Sequence, residues 1–381
     1  MKKRMAKLIS ITLIGAMMVS LAACGKNDSN EGKASAEAAE QNTTQSAAAE
    51  SSETEDISVG IVVKTATNAH FQDIAYGAML AGKDLGITVK VDNTSTEADV
   101  EGQITKCENM ISVGVDALIL TANDSDGVGA AVEAAHDAGI PFITVDTEIT
   151  NEWDDDEKEY MPCYIGVDHT QMAYELAKNV FDKLGGEGNV VVLRGNDAAS
   201  SSQERTAGFE KAISEYESKG IKMIQSQSAN YDQDEAATTM ADIIQANKDI
   251  DAVLCCNDLM AVGAVTALEE NNITVGGEDG VLVAGIDGNV IALESIEEGK
   301  IYGSAYDWSI LQGYYAVEQA YNLIQGKEAE ELINTPDTII TGENVADYLP
   351  HGQELANWQM GSELTDVSDY MRDFIEKGEG L

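Results

Sequence analysis

Carboxylates, an amide and a guanidinium follow the apolar strand-like runs of this chain. Asp146 comes directly after Pro141-Phe142-Ile143-Thr144-Val145, and Asp287, Asn257 and Arg205 follow later runs. Ligands of open α/β sheets bind beyond the carboxyl ends of strands, so we expect these side chains to converge. The mixture suits a sugar, because hydroxyls donate to carboxylates and accept from Arg, Lys or Asn, while an aromatic plane packs on the C–H face of the ring.

Simpler structural roles compete at each of these positions. Asp146 and Asp287 could cap the turns or helices that follow them, and Asn257 could be only the N-cap of its helix. Arg205 could pair with a neighbouring surface glutamate, and His70 could merely fill space at a strand end. Other candidates are predicted to be structural, exposed or hinge residues: His136, His169, His351 and Trp308.

The sequence offers little support for catalysis. It lacks a Gly-x-Ser-x-Gly elbow, a Walker loop and a His-rich metal motif. Two carboxylates at a lobe interface could serve a glycosidase. Here, however, Arg205, Lys64 and Asn257 are expected to hold Asp146 and Asp287 ionised as acceptors. We therefore predict a protein that is not an enzyme and that uses no cofactor and no metal.

Strand and helix patterns alternate from residue 57 to residue 341. Continuous apolar strands such as Ala117-Leu118-Ile119-Leu120 are typical of a parallel sheet covered on both faces, and the alternation predicts right-handed βαβ units. The acidic segment 150–160 interrupts the rhythm and is interpreted as a surface loop. A calcium loop is the alternative, but the EF-hand glycine and distal glutamate are missing. The predicted fold is α/β, with two doubly wound parallel-sheet lobes.

The beginning of the chain is typical of export. Met1-Lys2-Lys3-Arg4 precedes an apolar run too short to span a bilayer, and Leu21-Ala22-Ala23-Cys24 resembles a bacterial lipobox. We predict a signal peptide over 1–23, lipidation at Cys24 and a flexible acidic linker over 24–56. An ordinary signal peptide with an incidental cysteine is the alternative. The predicted location is extracytoplasmic, on a membrane lipid anchor at the cell surface or in the periplasm.

The charge balance excludes one class of partner. The chain has 23 Lys and Arg against 67 Asp and Glu, a formal net charge of −44. Such a charge repels phosphate backbones, so no nucleic-acid partner is expected. Cys255 and Cys256 lie in an apolar run and are predicted to be buried core residues.

Several motifs together resemble the type I periplasmic binding proteins, the sugar receptors of ABC importers, and their ribose receptors in particular. The likeness covers about residues 58–341. It is carried by Asn68 with Phe71, LTANDSD at 120–126, IPFITVD at 140–146, ERTAGF at 204–209, NDLMAVGA at 257–264 and AGIDG at 284–288. The order and spacing of the motifs make the resemblance specific.

The resemblance implies a set of ligand contacts and three departures from the ribose pattern. Thr147 replaces an arginine, Asp307 replaces a glutamine on the hinge strand, and His70 replaces an aromatic residue. Lys64 occurs at a position where similar receptors have a lysine that contacts the sugar. These changes predict a ligand other than ribose. The positions that match the family in residue type are Asn68, Phe71, Asp146, Arg205, Asn257, Asp287 and the aromatic Tyr231.

The resemblance also implies the architecture and the partners. A monosaccharide or polyol would bind between two lobes joined by a three-segment hinge and pass to the permease of an ABC transporter. The alternative is a sugar-sensing receptor that feeds a membrane histidine kinase or chemoreceptor. The predicted boundaries are 57–167 plus 308–337 for the N-terminal lobe, 168–307 plus 338–349 for the C-terminal lobe, and 350–381 for a tail with a short amphipathic helix.

Overall fold

The computed structural model describes residues 57–150 and 158–381. Cys24, the predicted signal peptide and the linker lie outside the described residues, as does most of the acidic segment, including the calcium-loop alternative. Within the described part, no helix is both long enough and apolar enough to cross a membrane.

The first of two six-stranded sheets is parallel, in the order β11-β5-β4-β3-β1-β2. Its central strands are buried along their length, as continuous runs of Val, Ile and Leu require. The strands are β1 (Ser58–Thr65), β2 (Thr88–Thr94), β3 (Ala117–Leu120), β4 (Phe142–Val145), β5 (Cys163–Gly166) and β11 (Leu332–Asn334).

The second sheet has the order β12-β10-β9-β8-β6-β7. It is parallel except for β12, which pairs antiparallel with β10 at the edge. We call the layers around the two sheets the first and second lobes. The strands are β6 (Gly188–Arg194), β7 (Ile221–Ser228), β8 (Ala252–Cys255), β9 (Leu282–Ile286), β10 (Gly303–Tyr306) and β12 (Thr338–Thr341).

Helices cover both sheets. In the first lobe α1 and α9 cross closely at two glycines, because a β-carbon at Gly77 would collide with the Ile310 carbonyl and one at Gly313 with the Ile74 carbonyl. The helices are α1 (Ala69–Leu85), α2 (Val100–Ser112), α3 (Gly129–Ala138), α4 (His169–Lys183), α5 (Ser200–Tyr216), α6 (Gln233–Ala246), α7 (Asp258–Glu270), α8 (Val290–Glu297), α9 (Ser309–Ile324), α10 (Leu349–Ala356) and α11 (Asp369–Glu379).

The chain crosses three times between the lobes. It passes from β5 to α4 at 167–168, from β10 to α9 at 307–308, and from β11 to β12 at 335–337. Trp308, at the second crossing, is fully buried in a left-handed backbone conformation (φ 48°), which confirms its predicted packing role. Three crossings between two otherwise separate sheets provide the connection about which the lobes can rotate.

The final segment folds into two helices rather than the one predicted. On α10, His351 lies 3.2 Å (Nε2 to Oδ2) from Asp73 of α1. On α11, the Phe374 ring stacks on His351 at 4.1 Å and on Trp308 at 4.7 Å between centroids. Arg372 forms a 2.8 Å ion pair with Asp84 of α1. The tail therefore packs against the first lobe and the crossing segment together.

The predicted fold is confirmed, with limited omissions. Two short strands, β5 and β11, were absent from the prediction. Cys255 and Cys256 are buried free thiols, as predicted. His351 is buried within the tail contacts, and His136 stacks on Tyr160 at 3.6 Å between ring centroids.

Candidate ligand-binding site

The predicted ligand contacts converge where the carboxyl ends of the two sheets face each other. They surround a small cavity of about 10 Å³, which we call the inner site. Such a volume is close to that of a single water probe, so the two lobes are closed on each other. The inner site is lined by Lys64, Asn68, His70, Phe71, Glu97, Asp146, Ser201, Arg205, Tyr231, Asn257 and Asp287.

Two further predicted residues, Thr147 and Asp307, lie directly behind this lining. The Thr147 hydroxyl accepts a 2.8 Å hydrogen bond from Lys64 Nζ and donates at 2.8 Å to Asp146. Asp307, fully buried on the crossing segment, lies 3.5 Å (Oδ2 to Nη2) from Arg205. The structure thus brings all eleven predicted site residues together.

Arg205 is held from several sides. Nη1 donates to the Cys256 carbonyl at 2.8 Å and to Asp287 Oδ1 at 3.2 Å. Nε donates to His169 Nδ1 at 3.2 Å. Burial would lower the pKa of Arg205, but the tyrosine and carboxylates around it raise the pKa instead. Arg205 is therefore a fixed cation inside the cleft, not the surface partner of a neighbouring glutamate.

His70 lies among three carboxylates. Its Nε2 is 3.3 Å from Asp146 Oδ1, and its Nδ1 is 3.6 Å from Asp307 Oδ1 and 3.9 Å from Asp287 Oδ1. Burial alone would lower the pKa of His70, but the charges of Asp307, Asp287 and Asp146 outweigh it and raise the pKa to about 10. His70 is therefore a cation at neutral pH.

The carboxylates differ in protonation because their partners differ. Burial disfavours the charge on Asp146, yet the His70 imidazolium 3.3 Å away and the charge of Lys64 hold the pKa of Asp146 well below its usual range. For Asp287, burial dominates over His70 and Arg205 and raises the pKa to about 7. Burial likewise raises the pKa of Asp307. Asp146 is thus the firmly ionised acceptor of the site.

Two aromatic rings flank the polar cluster, one from each lobe. Lys64 Nζ lies 5.4 Å from the centroid of Phe71 and 5.7 Å from that of Tyr231, within cation–π range of both. Tyr231 and Asn230 both have left-handed backbones, with φ of 63° and 51°. Such conformations cost about 1–3 kcal/mol each in non-glycine residues. The surrounding contacts must therefore offset this conformational energy to hold the Tyr231 ring in place.

The helix-capping alternatives apply to the amides and not to the carboxylates. Asn68 Oδ1 accepts from the His70 amide at 3.1 Å, and Asn257 Oδ1 accepts from Met260 N at 2.9 Å, so both asparagines are N-caps that also line the inner site. Among the described residues, no backbone N–H donates to the carboxylate of Asp146 or Asp287 within hydrogen-bond distance. Their carboxylates are directed at other side chains.

Sequence reasoning missed three residues at the site. Glu97 accepts from Asn68 Nδ2 at 3.2 Å, and the Ser201 and Thr147 hydroxyls are 3.1 Å apart. His169, predicted to be structural or exposed, is fully buried beside Arg205, with Nε2 donating to the Asp146 carbonyl at 2.9 Å. Burial and the charge of Arg205 lower the pKa of His169 to about 3, so it stays neutral.

Three side chains at the site carry atoms of the kinds that bind metal ions in proteins. Atoms of His70, Asp146 and Asp307 all lie within 4.8 Å of one another. A protonated imidazole has no lone pair to offer, however, and Lys64 and Arg205 lie 3.7 and 3.8 Å from Asp146 carboxylate oxygens. The donor set therefore fits a network of ion pairs better than a bound cation.

Comparison with known proteins defines the class. The periplasmic binding protein domain family matches residues 59–328. The ribose import binding protein of Bacillus subtilis (strain 168) is 30% identical over 281 residues, which cover 74% of this chain and 86% of that protein. The chain belongs to the periplasmic binding protein family, and the resemblance given by the motifs is confirmed.

Solved structures of ABC transporter solute-binding proteins share the fold. One from Actinobacillus succinogenes 130z, with bound D-allose, is 31% identical with a TM-score of 0.70, covering 77% of this chain and 100% of that chain. Another from Bacillus halodurans C-125, with bound myo-inositol, is 27% identical with a TM-score of 0.66, covering 77% and 98%. These relatives are binding proteins, and the prediction of a non-enzymatic protein is confirmed.

Proposed function

We propose that the protein captures a neutral monosaccharide or polyol between its lobes and delivers it to the permease of an ABC transporter. One observation carries the proposal. Both ring nitrogens of His70, Asp146 Oδ1 and Asp307 Oδ1 are buried without a hydrogen-bond partner among the described residues. Buried polar atoms left unpaired are costly, and hydroxyl groups can both donate to the carboxylates and accept from the imidazolium.

The charges of the inner site favour a neutral ligand. The cations Lys64, His70 and Arg205 already lie within 4 Å of carboxylates. An added phosphate or carboxylate would face Asp146 directly and would be repelled. A polyhydroxy compound instead completes hydrogen bonds without disturbing the balance, while Phe71 and Tyr231 offer apolar faces to its C–H groups.

Three positions distinguish the expected ligand from ribose. The resemblance implies an arginine at position 147 in ribose receptors, but here the residue is Thr147, which is short and neutral. The Thr147 hydroxyl accepts a hydrogen bond from Lys64, so Lys64 supplies the cation at this place instead. His70 adds two N–H donors where an apolar ring was expected. This donor arrangement supports a ligand with a hydroxyl pattern other than that of ribose.

A calorimetric and thermal-shift panel tests the proposal. The compounds are D-ribose, D-allose, D-xylose, D-galactose, D-glucose, L-arabinose, myo-inositol and xylitol. We expect at least one to raise the melting temperature by mass action and ribose to bind at least tenfold more weakly than the best. Failure of every compound at millimolar concentration would contradict the function, and ribose as the tightest binder would contradict only the inferred specificity.

The anchoring and the transport partner belong to the same proposal. Family membership supports an extracytoplasmic location, and we infer that acylation of Cys24 ties the protein to a membrane through the 24–56 linker. Cys24→Ser should release the protein from the membrane fraction in cell fractionation, and retention would contradict the anchor. The relatives' names support an importer, and the sensory-receptor alternative is not favoured.

The lobe boundaries remain part of the proposal. The three crossings at 167–168, 307–308 and 335–337 support lobes of 57–167 plus 308–337 and of 168–307 plus 338–349. In this arrangement β11 belongs to the first lobe and β12 to the second. A ligand that contacts both lobes then favours the closed state by its differential affinity.

A further inference from the structure

Hydrogen bonds bridge the cleft that contains the inner site on two of its edges. On one edge, Ser125 N donates to the Ala198 carbonyl at 3.0 Å, and Glu148 N donates to Ser200 Oγ at 2.9 Å. On the opposite edge, Asn289 Nδ2 donates to Asn68 Oδ1 at 3.0 Å. These hydrogen bonds join the first lobe to the second on both edges.

Helix α10 reinforces the second edge. His351 contacts Asp73 of the first lobe, and Gly352 packs so closely on Val290 of the second lobe that an added β-carbon would lie 3.0 Å from the Val290 β-carbon. The crossing segments close the cleft at the back. A further side of the cleft is bordered by the loops that follow the outer strands β2 and β7.

At this outer side a cavity of about 740 Å³ remains between the closed lobes. We call it the outer chamber. The first lobe lines it with Thr65, Thr67 and residues 95–98, and the second lobe lines it with Asn196, residues 230–235 and Leu259. Lobe closure around the inner site thus does not remove this space.

The outer chamber adjoins the inner site, and two residues belong to the walls of both cavities. Glu97 and Tyr231 line both cavities. The Tyr231 ring is fixed by its left-handed backbone and by close contact with Gly195, where a β-carbon would collide with the ring. Because Tyr231 borders both cavities, its ring can contact a ligand that extends from one cavity into the other.

The chemistry of the outer chamber selects what can enter it. Most of its lining residues carry a hydroxyl, amide or carboxylate group, and none of the described residues that line it is Lys, Arg or His. Glu97, Asp232, Asp234 and Glu235 supply acidic groups. Such a surface hydrogen-bonds neutral hydroxyl groups or a protonated amine and repels acidic groups.

We propose that the outer chamber is a second sugar subsite, so that the ligand is a glycoside or short oligosaccharide with one ring in the inner site and a neutral or amine-bearing unit against Tyr231. The proposal rests on the proposed function, because it assumes a polyhydroxy ring in the inner site. It extends that function from a free monosaccharide to a ring that carries a substituent.

Calorimetric titration of matched compounds tests the subsite. The pairs are D-xylose with xylobiose, D-glucose with cellobiose, D-galactose with 1,4-β-galactobiose, and myo-inositol with galactinol. We expect the disaccharide of at least one pair to bind at least tenfold more tightly than its free ring. The glucuronide of the best-bound ring, which carries a carboxylate only on its outer unit, should bind at least tenfold more weakly than the tightest neutral disaccharide of the same ring, and equal binding would overturn the assignment of a neutral or amine-bearing unit.

A variant that fills the outer chamber separates the two sites. Ala98 is exposed on the chamber wall, so Ala98→Trp should remove the gain of the disaccharide while changing the affinity of the free ring less than threefold. Val113→Trp, at a position 61% exposed outside both cavities, is the matched control and should retain the gain. A melting temperature equal to that of the native chain checks folding in both variants.

The possible results distinguish this inference from the proposed function. Binding of free rings without tighter binding of any disaccharide overturns the subsite and leaves the proposed function intact. Equal weakening of both members of a pair by Ala98→Trp also overturns the subsite. Failure of every free ring and every disaccharide to bind overturns both.

Discussion

At the scale of single residues, the inner site is a network of ionisable groups whose pKa values are shifted in different directions. Asp146 is fully ionised because His70 and Lys64 outweigh its burial, whereas burial raises the pKa of Asp287 to about 7. The two carboxylates therefore have different roles towards a ligand. Asp146 accepts as an anion, and Asp287 can accept or, when protonated, donate.

This difference predicts unequal effects of two isosteric substitutions. Asp146→Asn should weaken sugar binding by roughly 30-fold or more, since loss of a buried charged partner costs about 2–5 kcal/mol and a decade of affinity is about 1.4 kcal/mol. Asp287→Asn should weaken binding less, because Asp287 is partly protonated near neutral pH. Isothermal titration calorimetry measures both, with the exposed Asp197→Asn as control. A larger loss for Asp287→Asn would contradict the assignment.

His70 predicts a pH dependence of stability. Its folded-state pKa of about 10 exceeds the usual 6.5, so the folded protein binds more protons between these values than the unfolded chain. The contribution of His70 is fully present below about pH 6.5 and is lost as the pH rises towards 10, with a slope of up to about 1.4 kcal/mol per unit. Urea denaturation from pH 6.5 to 10 should show a steeper loss for the native chain than for His70→Gln.

A matched histidine provides the control for this measurement. His136 is exposed, so His136→Gln should leave the slope between pH 6.5 and 10 unchanged. Identical slopes for the native chain and His70→Gln would show that the carboxylates do not hold the imidazolium in the folded state.

At the scale of elements, the ends of strands explain why much of the site was predictable. Asp146 and Asp287 follow β4 and β9 directly, and Asn257 follows β8 after one residue. The rule that ligands bind at the carboxyl ends of parallel strands brings the three residues together. Glu97 was missed because it lies on an irregular loop after β2. No local pattern marks such a residue, since its position depends on how that loop folds back over the cleft.

The same distinction applies to the helices and strands themselves. Long apolar runs such as β1 and β3 were predicted because both faces are buried. The three-residue strand β11 was missed, since its alternately exposed residues carry no continuous apolar signal and it is held by pairing with β5. The partners of His351 and His169 likewise come from distant segments, and nothing in their local sequence identifies them.

The tail gives a prediction at this scale. Phe374 is 3% exposed and stacks on both Trp308 and His351, so Phe374→Ala should remove an aromatic contact that joins α11 to the crossing segment. A buried Phe→Ala substitution costs about 3–5 kcal/mol of unfolding free energy. Chemical denaturation measures the change, and Asp373→Ala at the exposed neighbouring position is the control. A loss below about 1 kcal/mol would mean that the tail does not pack as described.

At the scale of the whole molecule, the structure represents a closed state. The inner site has a volume of only about 10 Å³, and hydrogen bonds join the lobes on two edges. A sugar cannot enter or leave such a site unless the lobes separate at the three crossing segments. Ligand binding and lobe movement are thus expected to be parts of one equilibrium, in which the ligand contacts both lobes only when they are closed.

Small-angle X-ray scattering with and without the tightest sugar of the panel tests this account most directly. The account predicts a smaller radius of gyration at saturating sugar, because the ligand draws the two lobes together over Asp146 and Arg205. Asp146→Asn at the same sugar concentration should retain a larger share of the open form. An unchanged scattering profile, with saturation verified by calorimetry on the same sample, would contradict capture of the sugar between closing lobes.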